Sequence, residues 1–87
     1  MLKGGEKMDF GKAIEALKNG KKVARAGWNG KGMYLYLADD ELLTEAIGDG
    51  SFPFTDTIVI KTADDKYCIG WLASQTDMLA EDWLIIE

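Results

Sequence analysis

One cysteine and no histidine in 87 residues remove the usual staples of a small fold. Cys68 alone cannot close an internal disulfide. A structural zinc needs four nitrogen or sulfur ligands, which this chain does not offer. The fold must therefore rest on its apolar core. A chain this short leaves much of its surface exposed, so an isolated subunit is marginal. Association between copies is the remaining source of buried surface, and a closed symmetric assembly is expected. No apolar run is long enough to span a membrane and no secretory pattern opens the chain, which predicts a cytoplasmic protein.

Charge narrows the partners. Residues 1–33 carry eight Lys/Arg and three Asp/Glu, whereas residues 34–87 carry two Lys and twelve Asp/Glu, for a net charge of −5. Non-specific DNA or RNA binding rests on phosphate neutralisation, so an acidic protein is not expected to bind either. The basic half is read as a solvated face that balances the acidic half, or as a local anion site. The opening Met1-Leu2-Lys3-Gly4-Gly5-Glu6-Lys7 is polar and glycine-rich and adds nothing to a core. Lys3-Gly4-Gly5 is encodable by a purine run like a ribosome-binding site, a short step upstream of Met8. Residues 1–7 are thus expected to be a disordered leader and residues 8–87 a single domain.

Periodicity supplies the elements. Phe10, Ala13, Ile14 and Leu17 form a helical stripe, with Asp9 as N-cap and Gly20 just past the end. Residues 22–26 and 33–37 alternate around the turn Asn29-Gly30-Lys31-Gly32 and predict a hairpin. Residues 41–47 read as a short helix, broken at 48–51 and followed by Phe52-Pro53-Phe54, an arm or lid. Residues 57–62 and 66–72 read as strands joined at Asp64-Asp65. Cys68, within the second, is expected to be a buried small residue. Ser74 or Thr76 is placed to cap one helical turn before a closing strand from Trp83. The sum is an α+β domain: a small antiparallel β-sheet, one N-terminal helix packed on it, and a short helical turn before the last strand.

All three tryptophans fall in two blocks, Gly27 to Met33 and Trp71 to Trp83. Each block sets a flat ring beside small or polar residues, as a pocket for a planar polar ligand requires. Trp28 reads either as a stacking residue or as an anchor at the edge of the core. Gly27, Gly30 and Gly32 permit close backbone approach to phosphate, or simply a tight turn. The spacing is neither a P-loop nor a dinucleotide fingerprint. Arg25 and Lys31 are the nearest cations, with Arg suited to a two-pronged grip on phosphate. Ser74, Gln75, Thr76 and Asp77 form the densest polar cluster, suited to ligand edges or to plain helix capping. Of Trp71 and Trp83, at least one is expected in the core. The candidate ligand-binding set is Phe10, Arg25, Trp28, Asn29, Gly30, Lys31, Trp71, Ser74, Gln75, Thr76 and Asp77. With no histidine and no nucleophile–base pair evident, no catalytic residue, metal or cofactor is assigned.

The run Phe10-Gly11…Ala13…Ala16-Leu17…Gly20-Lys21-Lys22-Val23…Arg25…Gly27-Trp28-Asn29-Gly30-Lys31-Gly32-Met33 resembles the N-terminal half of a phage family, the small Thoeris anti-defence 2 proteins. The block Trp71-Leu72-Ala73-Ser74-Gln75-Thr76-Asp77-Met78-Leu79-Ala80-Glu81-Asp82-Trp83 resembles its C-terminal half. The resemblance spans essentially Met8–Glu87. It implies a sponge that holds a cyclic ADP-ribose-type immune signal, glycocyclic ADP-ribose, without cleaving it. It further implies a homotetramer, a dimer of dimers, in the cytoplasm of an infected or lysogenic host, with sites at subunit interfaces. A sponge for cyclic oligonucleotide signals and an oligomeric protein-binding module without a nucleotide ligand are the alternatives.

Overall fold

Asp9 opens the first helix by accepting the Lys12 N–H at 2.9 Å, so α1 runs Phe10–Lys18. Its stripe buries Ala13, Ala16 and Leu17. Gly20 takes φ +82°, a left-handed conformation that glycine adopts without strain and that ends the helix. The computed structural model describes residues 6–28 and 32–86. After α1 come β1 (Lys22–Arg25), a 3-10 turn (Ala26–Trp28), β2 (Tyr34–Ala38), α2 (Asp40–Ile47), β3 (Thr57–Lys61), β4 (Tyr67–Ile69), α3 (Gln75–Leu79) and β5 (Trp83–Ile86). This is the α+β arrangement the periodicity predicts.

Among the described residues the strands form one antiparallel sheet in the order β4-β3-β2-β1-β5. The expected hairpin is present, with Val23 opposite Leu35. The last strand lies on the other side of β1, pairing Lys22 with Ile86 and Arg25 with Trp83. Paired residues on neighbouring strands share a face. One face therefore carries Val23, Arg25, Leu35, Ile60 and Trp83, and α1 packs on it. The opposite face carries Lys22, Tyr34, Tyr36, Ala38, Val59, Lys61, Tyr67 and Ile69.

The predicted helix over residues 41–47 forms, capped by Asp39, whose carboxylate accepts the Leu42 N–H at 2.9 Å. It docks through Leu43 on Ala38 and Val59. Asp40 then accepts the Phe54 N–H at 2.8 Å, which returns the following segment to the helix. The helix ends where Gly48 turns to extended backbone (φ −79°, ψ 154°), passing so close to Thr44 that a Cβ there would stand 2.8 Å from its backbone. Phe54 is half-buried against this cluster, while Phe52 is 84% exposed.

Cys68 departs from expectation: it is exposed. Its strand is an edge strand, and α1 packs chiefly on β1, β2 and β5, toward the other edge of the sheet. At the other edge, Met8 exchanges backbone hydrogen bonds with Trp83 at 2.8 and 3.1 Å. Among the described residues, no helix is long and apolar enough to cross a membrane.

Candidate functional site

The tryptophan blocks meet at Trp83. Its side chain is fully buried, the largest in the core. Three half-buried rings surround it. Phe10, at the start of α1, lies 5.6 Å away between ring centroids. Trp28, from the 3-10 turn, meets it edge-on at 5.5 Å. Trp71 meets it edge-on at 6.2 Å, held by an N–H that donates to the Ile58 carbonyl at 2.9 Å. Edge-to-face contacts of this kind add about 0.5–1.5 kcal/mol each beyond area burial. The core tryptophan expected among Trp71 and Trp83 is thus Trp83.

A polar network lies beside the rings and ties the blocks together. Arg25 ends β1 on the α1 face of the sheet, beside Trp83. Its Nε donates to Asp82 at 2.9 Å and its Nη1 donates to Asp77 at 3.0 Å. The other Asp82 oxygen accepts the Gly27 N–H at 2.8 Å, and the Asp82 carbonyl accepts the Ala26 N–H at 2.9 Å. The turn that presents Trp28 is therefore fastened to residue 82 twice through its backbone and once through Arg25. The Trp83 indole N–H donates to the Asp77 carbonyl at 3.0 Å, so the buried tryptophan is satisfied by the same segment.

The polar cluster of residues 74–77 divides into two pairs. Ser74 caps α3: its hydroxyl oxygen accepts the Asp77 N–H at 3.1 Å, and Asp77 accepts the Ser74 N–H at 3.0 Å. The capping reading of Ser74 and Asp77 thus describes real contacts. Gln75 and Thr76 are exposed on the first turn, and their side chains make no hydrogen bond among the described residues. They are the polar side chains of the block left available to a ligand.

The same network gives Arg25 carboxylate partners where the sequence reading placed a phosphate. One guanidinium faces two carboxylates, with side-chain exposures of 17% for Arg25, 14% for Asp77 and 25% for Asp82. Any anion approaching Arg25 would meet both acids. Asn29, Gly30 and Lys31 lie outside the described residues. Sequence reasoning missed the structural part played by Asp82. The available signal was an arginine in register with the apolar positions of β1, which calls for a carboxylate from elsewhere in the chain.

Burial pushes the carboxyl groups of Asp77 and Asp82 up, but hydrogen bonds outweigh it. Ser74 and Arg25 hold Asp77 below the ordinary carboxylate range, and Arg25 and Gly27 do the same for Asp82. A carboxyl depressed on folding stabilises the protein above its unfolded pKa, about 4, and that stabilisation is lost as pH falls through the folded value. Stability is accordingly expected to decline below about pH 4. Thermal melts of Asp82→Asn should show a smaller decline over the same interval, and an identical acid limb would contradict the network.

A family model described as the Thoeris anti-defense 2-like domain matches residues 8–86. The chain is also 49% identical over 86 residues to Thoeris anti-defense 2 of Bacillus phage SP01, an alignment covering 92% of this chain and 96% of that protein.

Proposed function

The chain belongs to the Thoeris anti-defense 2-like family, and from that premise we propose that it is a sponge for a cyclic ADP-ribose-type signal, glycocyclic ADP-ribose, held intact and kept from the Thoeris effector. Membership itself carries the coarser role, anti-defence directed at Thoeris. The observation that supports the finer reading is the convergence of Phe10, Trp28 and Trp71 around Trp83, next to exposed Gln75 and Thr76. Half-buried rings are stacking surfaces for a base, and each base–aromatic stack is worth about 1–3 kcal/mol. Gln75 and Thr76 address base or ribose edges. The protein as a whole repels a dianion at net charge −5, so local charge must meet the phosphates. The cation-rich stretch 21–32, with Lys21 exposed, supplies it.

Tight capture is within reach of such a ligand. Roughly 35 non-hydrogen atoms at about 0.3 kcal/mol each give about 10 kcal/mol, a Kd of order tens of nanomolar. The working form is a homotetramer, a dimer of dimers, in the host cytoplasm. Binding proceeds without turnover: the Ser74 hydroxyl donates to Asp77 at 2.9 Å, but that pair closes the α3 cap and its carboxylate is neutralised by Arg25.

Incubation with the signal, followed by denaturation and analysis of the released ligand, tests this directly. Intact ligand in stoichiometric amount is expected. Catalytic appearance of linear ADP-ribose would make the protein an enzyme instead. A signal held at a hundred times its Kd should also add about 2.7 kcal/mol to stability. A melting temperature unmoved by the signal would favour a protein-binding module.

A further inference from the structure

The segment that presents Trp28 joins β1 to β2, and it is fastened at both ends. Its first end is tied to residue 82 through Ala26, Gly27 and Arg25. Its other end, at Gly32, is tied to a different part of the sheet. The ammonium of Lys61, the last residue of β3, donates to the Gly32 carbonyl at 3.0 Å. Gly32 takes φ +74°, and a Cβ on it would stand 3.2 Å from that ammonium. Glycine suits both the left-handed backbone and the close approach.

Lys61 is itself held in place. It stands between Tyr34 and Tyr67 in the strand register, and its side chain is only 18% exposed. Asp65, in the turn between β3 and β4, accepts from its ammonium at 2.6 Å. Asp65 reaches it from a left-handed φ of +63°. The turn is closed by the Thr62 N–H, which donates to the Lys66 carbonyl at 2.8 Å, and by the Asp65 N–H, which donates to the Thr62 carbonyl at 3.1 Å. Asp65 is 82% exposed, and a pair with so exposed a member adds little to stability. What the arrangement supplies is placement. Of the three donors on the ammonium, Asp65 holds one and the Gly32 carbonyl takes another. A segment pinned at both ends meets a ligand already ordered, whereas one pinned at a single end must lose its freedom on binding.

We propose that Lys61 is a positioning residue for the candidate site, a strut from the β3–β4 turn that sets the far end of the Trp28 segment. Its effect on binding rests on the sponge reading; the strut itself does not. Lys61→Met keeps the stem and removes the donor. Amide exchange at Gly27, the opposite anchor of the segment, should quicken by about threefold or more. Signal affinity, read by titration calorimetry, should fall about fivefold. Lys61→Arg should restore both. Asp65→Gly removes the acceptor but suits the left-handed φ, so its melting temperature should not fall while its binding weakens. General damage to the fold would lower the two together. Unchanged exchange and affinity in Lys61→Met overturn the strut. Tighter binding in Asp65→Gly would make Lys61 a phosphate contact restrained by Asp65, which overturns it as well. So does a loss in Lys61→Met that comes with a change in sedimenting mass, since the residue would then serve assembly. A wild-type protein that takes up no signal fails the sponge reading, and exchange at Gly27 then decides the strut alone.

Discussion

Trp83→Ala is expected to unfold most of the isolated protein. Trp83 is fully buried and touches Phe10, Trp28 and Trp71 as well as the α1 residues of the core. Truncating a buried tryptophan costs about 3–5 kcal/mol, from lost burial and from the cavity left behind. A single small core without disulfides or metals rarely supplies more than about 3–5 kcal/mol. The loss is thus comparable with everything that holds one subunit together. It also removes the donor to the Asp77 carbonyl and so loosens α3. At about 4–8 °C per kcal/mol for a domain of this size, the melting temperature should fall by at least ~12 °C. Trp83→Phe provides the comparison. It keeps an aromatic hub but loses the indole N–H, and should destabilise less than the alanine variant. A Trp83→Ala melt within a few degrees of wild type would show that the core does not depend on this hub.

The elements written in local chemistry were legible in the sequence. Asp9, the 10-13-14-17 stripe and Gly20 describe α1 because capping and helical period act within a few residues. The same holds for the hairpin around Val23 and Leu35, for the helix after Asp39, and for the Ser74 cap. What was not legible depends on distant pairing. Nothing near residues 22–25 announces that residues 83–86 lie beside them, since antiparallel pairing across that separation leaves no periodic trace. The position of Trp83 at the centre of the aromatic cluster, and the link from Arg25 to Asp82, follow from that one pairing. Cys68 was misread for a related reason. An alternating strand shows which residues share a face, but not whether a helix covers that end of the sheet. The site was legible as two blocks. Within them, the sequence did not separate Ser74 and Asp77, which close the α3 cap, from Gln75 and Thr76, which stay exposed.

Arg25→Ala should weaken signal binding at least tenfold, about 1.4 kcal/mol. The reason is its position between two carboxylates. Removing the guanidinium leaves Asp77 and Asp82 partly buried without their shared cation. Losing a charged hydrogen-bond partner at such a site costs about 1–3 kcal/mol, less than in a dry interior because the group is partly screened. The turn bearing Trp28 then keeps only its backbone ties to residue 82. A ring held less firmly binds a planar ligand less well, because ordering it must now accompany binding. Direct phosphate contact by Arg25 would produce the same loss, so a second variant is needed to separate the two roles. Asp82→Asn removes a negative charge beside Arg25 and weakens the tie to Gly27. If Arg25 gripped a phosphate, that change would free the guanidinium and tighten binding of a dianion. If Arg25 is a strut for the Trp28 turn, the change weakens binding, and Arg25→Lys fails to rescue because one ammonium cannot span both acids with the geometry of a guanidinium. Titration calorimetry of Arg25→Ala, Arg25→Lys and Asp82→Asn reads the difference as a sign. Weaker binding in all three identifies the strut, and tighter binding in Asp82→Asn would return Arg25 to the phosphate.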